Sequence, residues 1–207
     1  MYPDHIHEEI SLLAITYGGM MMETMINSTG WRDWYKASDQ TPMYEYLKTV
    51  LKVLSFQSGS GKRWLLKSPQ HVEQLPTLCK VFPDATVICT HRDPVSVTAS
   101  GITMMAYTAR MSIQPHHLKR VGLYWADRFE DMFRSYASER DAVPASQSID
   151  VLFHEFMADD VGMVKRIYEL ADQPFTPELQ AAMDQFCLLY TSPSPRDATL
   201  SRMPSSA

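Results

Sequence analysis

Residues 56–71, "FQSGSGKRWLLKSPQH", carry two lysines whose surroundings both read as phosphate-binding. Lys62 follows a Gly-Ser-Gly run, and Lys67 closes a short apolar run and precedes Ser68-Pro69. A Walker-type loop needs Gly-x-x-x-x-Gly-Lys-Ser/Thr after a strand and at the start of a helix, because backbone N–H groups must converge on the phosphates. At Lys62 the first glycine position is Phe56, the residue after the lysine is Arg63, and the segment follows a helical pattern. Lys62 therefore reads as a solvated charge in a turn that leads from a helix into a strand.

Lys67 sits differently. It lies at the carboxyl end of the apolar run, with Ser68 as the expected helix cap and Pro69 at the first helical position. In open α/β sheets ligands bind beyond the carboxyl ends of strands, where helix N-termini favour anions. The arrangement repeats in "ICTHRDPVSVTAS": Arg92 leaves a strand end, Asp93 can cap, Pro94 starts the helix, and Ser96 and Ser100 follow one turn apart on one face. Two cations at one sheet edge point to an anion site. Histidine is the usual base near neutral pH, and His71 lies four residues beyond Lys67, in either a catalytic or a packing role. His5, His7, Glu8 and Glu9 form a second acid/base cluster, whose bland alternative is a solvated helix start; His91 reads as structural, and His116 and His117 as surface residues.

The elements that must position these groups follow from hydrophobic period. Helices are expected over 8–26, from Thr41-Pro42 to about 56, and over 69–82, 94–110, 116–139, 159–172 and 176–187. In the second, Tyr46, Val50, Val53 and Leu54 are expected to face the core; in the helix at 116–139, Val121, Tyr124, Trp125, Phe129, Met132 and Phe133 are. "TGWRDWYKASDQTP" reads as a loop, and "RWLLK", "ATVICTH" and "SIDVLFHEF" read as strands. Successive strand–helix units predict a parallel α/β sheet.

A chain of 207 residues with 45% hydrophobic and 21% charged residues fits one ordinary globular domain. The net charge of -5 argues against a nucleic-acid surface, so an anion site must be local. Cys79, Cys89 and Cys187 have neither disulfide-framework nor zinc-ligand spacing and read as reduced thiols, and no metal site is expected. "ISLLAITYGGMMMETMI" carries Glu23 and is interrupted by Gly18-Gly19, which makes it too short and too polar to span a bilayer. A cytoplasmic location is expected on these grounds.

"WLLKSPQH", "FPDATVICTHRDPVSVTAS", "IDVLFHEFMAD" and "VKRIYELADQPFTPE" together resemble the sulfotransferase family that uses 3′-phosphoadenosine 5′-phosphosulfate, over about residues 5–187. The most specific element is Arg92 followed eight positions later by Ser100, which matches the Arg and Ser that hold the donor's 3′-phosphate in that family. Lys67 matches the family's lysine near the sulfuryl group, and Ser68 and Ser96 are further donor-contact candidates. Some members carry a histidine two residues after this lysine; that position is Pro69 here, so the family's base does not transfer and His71 stands as the substitute candidate. The resemblance implies a partial three-layer α/β fold of the P-loop nucleotide-binding type, a hydroxyl or amine acceptor, and no metal.

Nothing before the helix at 8–26 matches the family's first strand and its Gly-Thr-Thr-type phosphosulfate loop. The sequence-based expectation is a partial sulfotransferase domain at 1–187 with a disordered, non-native Ser/Pro/Arg tail at 188–207, the whole being an inactive fragment. Two readings from other classes stand beside it. A nucleoside or small-molecule kinase shares the framework but needs a Walker loop and a magnesium-binding acid. A noncatalytic helical interaction module draws on "GGMMMETM" and the long helix at 116–139, although methionines at helical spacing are commonly core filler.

Overall fold

The computed structural model describes residues 8–26, 28–59, 61–110 and 118–191, with side chains at 26 and 186–191 excepted. His5, His7, His116, His117 and residues 192–207 lie outside the described residues. The chain divides into two compact units. The first comprises residues 1–87 and 92–145 and the second 88–91 and 146–207.

The first unit is helical. Its elements are α1 (Ile10–Ala14), α2 (Met20–Ile26), α3 (Thr29–Ala37), α4 (Thr41–Ser58), a 3₁₀ turn at Pro69–Glu73, α5 (Leu75–Val81), α6 (Pro94–Ala109) and α7 (Leu118–Glu139). Met20, Ala109, Val121, Trp125 and Met132 form one buried cluster, against which Val72, Ile102 and Phe129 pack. Leu13, Leu47 and Leu51 form a second, flanked by Leu66 and Phe82. Gly101 lets α6 approach α7 closely, since a Cβ there would lie 2.4 Å from Phe129 Cζ. With Gly101 turned inward, the preceding Ser100 is exposed.

The second unit holds β1 (Val87–His91) and β2 (Ser148–Leu152), paired as a small parallel sheet, followed by α8 (Phe153–Ala158), α9 (Asp160–Leu170) and α10 (Pro177–Thr191). Cys89, Val151 and Met163 are its buried residues. His91 Nε2 meets Asp150 Oδ1 at 2.7 Å across the two strands, in keeping with a structural role for His91.

The mostly helical α/β class was legible in the sequence, but several elements differ. "RWLLK" is extended and joins no ladder among the described residues, because a strand needs a hydrogen-bonding partner as well as the right composition. The helix at 8–26 is two helices, broken where Tyr17 takes a left-handed φ of 59°. The expected loop after residue 28 is α3, started by the Ser28 hydroxyl accepting from Trp31 N–H at 3.4 Å. On α4 the buried residues are Tyr44, Leu47 and Leu51, whereas Tyr46 and Val53 are exposed. Thr41 is not the cap of α4: Gln40 holds that position, and Asp39 Oδ1 accepts from Thr41 N–H at 2.9 Å. The helix at 69–82 is a 3₁₀ turn and a separate α5, divided at Gln74. "SIDVLFHEF" is a strand only to Leu152, and Phe133 on α7 is exposed. Gly59 ends α4 with a φ of 58°, the turn expected around Lys62.

The least anticipated feature is an ionic core. Arg128 on α7 is fully buried. Its Nε donates to Glu23 Oε2 at 2.9 Å and its Nη1 to Glu73 Oε2 at 2.7 Å, and Tyr124 donates its hydroxyl to Glu23 Oε1 at 2.6 Å. The guanidinium lies 6.0 Å from the Tyr35 ring centroid. One side chain thus ties α2, α7 and the 3₁₀ turn together. Removing one member of such a group leaves an uncompensated buried charge, at a cost of about 3–5 kcal/mol. Arg128→Ala is expected to lower the melting temperature by on the order of 10 °C. The triple change Glu23→Gln, Arg128→Met, Glu73→Gln is expected to cost far less, since no lone charge then remains. Thermal unfolding followed by circular dichroism checks both, and equal losses would contradict the account.

Candidate functional site

The 3₁₀ turn that carries the Lys67–His71 segment is anchored from inside. Gln70 is fully buried, and its Oε1 accepts from Met20 N–H at 3.0 Å; Glu73, three residues on, is gripped by Arg128. In a 3₁₀ turn residues three apart eclipse one another, so both anchors point the same way. Pro69 begins the turn and Ser68 stands at its cap position, as the sequence indicated. The Ser68 hydroxyl makes no cap hydrogen bond, however; it is buried and has no hydrogen-bond partner among the described residues.

Around this turn five side chains meet. Glu9 is buried and stands at the cap position of α1, yet its carboxylate does not cap the helix. Its Oε1 lies 2.7 Å from His71 Nε2, and its Oε2 accepts from Lys67 N–H at 2.7 Å. His71 Nδ1 lies 2.8 Å from the Tyr44 hydroxyl. Burial is the largest influence on that phenol and raises it well above its ordinary range, so it stays protonated. Tyr44 meets one ring nitrogen of His71 and the Glu9 carboxylate the other, so both are engaged. Burial would raise the Glu9 carboxyl, but hydrogen bonds from His71, its own N–H and Lys67 N–H, together with the charge of His71, hold it below its ordinary value. At the surface, Lys67 Nζ pairs with Glu8 Oε1.

The second predicted group surrounds the start of α6. Arg92 and Ser100 are exposed. Asp93 caps the helix as expected, accepting from Val95 N–H at 3.3 Å and Ser96 N–H at 2.9 Å. Its Oδ2 also accepts from the Ser96 hydroxyl at 2.6 Å. The Ser96 hydrogen bonds, with smaller contributions from Val95 and Arg92, hold the Asp93 carboxyl below its ordinary value. The first amides of α6 are therefore taken by a carboxylate of the chain itself.

The folded chain thus joins Lys67 and His71 through the neighbouring pair Glu8 and Glu9, and gathers Arg92, Ser96 and Ser100 along the first turns of α6. Tyr44 went unnoticed in the sequence because nothing local marks a tyrosine as a histidine's partner. Its place in the row Tyr44, Leu47, Leu51 was the only signal. Met20 is in the core, Met21 is half-buried and Met25 is exposed. Among the described residues no helix is long and apolar enough to cross a membrane, and no group of three His, Cys, Asp or Glu is arranged to hold a metal ion.

Comparison with known proteins matches residues 6–177 to a family model described as "Sulfotransferase family". The chain belongs to the sulfotransferase family. It is similar to the solved sulfotransferase STF9 from Mycobacterium avium, with 26% identity and a TM-score of 0.81 over 93% of this chain. It is also similar to sulfotransferase STF1 from Mycobacterium tuberculosis, with 25% identity and a TM-score of 0.79 over 89% of this chain. The chain spans 50% of the length of each of these relatives. No curated protein matches it. As a sulfotransferase-family member it brings Lys67-Ser68-Pro69 and Arg92 to Ser100 within the matched residues.

The Glu9 geometry makes a pH prediction. A carboxyl held below its ordinary value of 4.5 adds stability that is fully present above that pH and is lost as pH falls through the folded-state value. Glu9→Gln is therefore expected to destabilise the protein at pH 7 and to differ less from the parent as the pH is taken below 4.5. Urea unfolding of both proteins at the two ends of this range tests the sign; a gap that widens at low pH would contradict it.

Proposed function

We propose that the chain serves sulfuryl transfer from 3′-phosphoadenosine 5′-phosphosulfate to a hydroxyl or amine acceptor. The observation that carries this reading is the family match over residues 6–177. The donor supplies an activated sulfuryl group on a phosphate leaving group. The work left to the protein is positioning and charge neutralisation, as in phosphoryl transfer.

The residues present fit the donor's chemistry. Lys67 offers a solvent-facing ammonium beside a buried Ser68 hydroxyl that has no partner among the described residues, and the two are assigned to the phosphosulfate end. Arg92 and the exposed Ser100 hydroxyl are assigned to the 3′-phosphate, the arginine supplying two-pronged hydrogen bonding that lysine cannot match. Ser96 is a weaker contributor, because its hydroxyl must leave Asp93 to serve a phosphate. His71 is assigned a supporting part: it links Glu9 to Tyr44, and its ring nitrogens are already engaged. The acceptor is a small molecule, glycan or peptide. Trp31 and Trp34 on α3, 6.2 Å apart between ring centroids, are the candidate lining.

Binding of 3′-phosphoadenosine 5′-phosphate to a protein of the full length of its relatives, measured by calorimetry, tests the assignment. Arg92→Ala is expected to weaken binding by about tenfold or more, the loss of a charge-assisted pair. Lys67→Ala is expected to lower kcat by about a hundredfold while changing nucleotide affinity little. Unchanged affinity in Arg92→Ala would remove the 3′-phosphate assignment. A kinase would instead bind a nucleoside triphosphate with magnesium in preference to this nucleotide.

A further inference from the structure

We propose that Glu8 is the base that takes the acceptor's proton, and that Lys67 restrains it until the donor claims that lysine. This rests on the sulfotransferase reading above and adds a residue to it. Among the described residues, three side chains around Lys67 have the right chemistry for a base: His71, Glu9 and Glu8. Tyr44 and Glu9 occupy both ring nitrogens of His71. Glu9 is buried, with one oxygen on His71 and the other on Lys67 N–H. Glu8 is the carboxylate open to a third molecule: its side chain is 42% exposed, and that of its partner Lys67 is 72% exposed.

The exposure of this pair decides how it behaves. A surface ion pair contributes about 0.2–1 kcal/mol, so a polyanionic donor can displace it; the buried pairs of Arg128 are not exchangeable in this way. Exchange moves the Lys67 ammonium from Glu8 to the donor and leaves the Glu8 carboxylate unpaired beside it. Glu9, the next residue, keeps its grip on Lys67 N–H and His71, so the backbone that presents both groups stays in place. In the transfer step the acceptor's O–H or N–H bond breaks and its proton goes to a Glu8 carboxylate oxygen. The freed electron pair forms the bond to sulfur. The bond between sulfur and the phosphate oxygen breaks, its electron pair remains on that oxygen, and Lys67 neutralises the charge. Glu8 returns the proton to solvent as product leaves. Two adjacent glutamates thereby divide the work: Glu9 holds the frame and Glu8 moves the proton.

The two roles of Glu8 have opposite signs, and a structural role does not. Glu8→Gln releases Lys67 and is expected to tighten 3′-phosphoadenosine 5′-phosphate about threefold, within the range of a surface pair. In the Lys67→Ala background the same change is expected to leave affinity alone. Glu8→Gln is also expected to slow donor cleavage, followed as nucleotide release with water as the acceptor, by about a hundredfold, the size of general-base catalysis. Weaker binding together with slower cleavage would make Glu8 a structural support and overturn the proposal, as would cleavage within twofold of the parent. These measurements use a protein of the full length of its relatives, and a parent of that length that neither binds the nucleotide nor cleaves the donor overturns the donor reading itself. That failure is distinct, because no substitution then changes any measurement.

Discussion

Arg128 is the constraint on which the first unit depends. A guanidinium with no solvent exposure is tolerable only if its donors and charge are met, and Glu23 and Glu73 meet them from two different parts of the chain. Satisfying one buried charge therefore fixes α2 against α7 and pins the 3₁₀ turn at Pro69–Glu73. That turn is the floor of the candidate site. Gln70 adds a second anchor through Met20 N–H, and His71, lying between the two anchors in sequence, has little freedom left. Apolar residues in place of all three ionic side chains would pack as well or better, but they would not specify which backbone segments must meet.

Within the site, buried charges are locked and exposed charges are exchangeable. Glu9, His71 and Tyr44 form a chain of hydrogen bonds with each polar atom in use. Lys67 and Glu8 face water, and their attraction is screened. The same contrast holds at α6, where Asp93 occupies the first amides and the Ser96 hydroxyl while Arg92 and Ser100 remain at the surface. At both places the cation the sequence singled out, Lys67 or Arg92, is exposed.

The turn start beside Lys67 and the helix start beside Arg92 were legible because their signals are local. Ser68-Pro69 and Asp93-Pro94 mark turn and helix starts through the fixed φ of proline, and both stand where the spacing indicated. The failure of Lys62 as a phosphate-loop lysine was equally local, a matter of spacing and order. Arg128 was half-legible. Val121, Trp125, Arg128 and Met132 share one helical face, so a cation on the core side of α7 was written in the period, whereas its partners fifty-five and more positions away were not.

By itself the sequence determined the positions of most helices, the strand character of β1 and β2, and the family resemblance, since each depends on neighbours within a turn or two. Tertiary structure alone decided which face of α4 is buried, that "RWLLK" joins no ladder among the described residues, and that Glu8 and Glu9 close over Lys67 and His71. The reason is common to all three. A helix face, a strand and an ion pair are defined by their partners, and those partners lie far away along the chain, where only the packed fold brings them within reach.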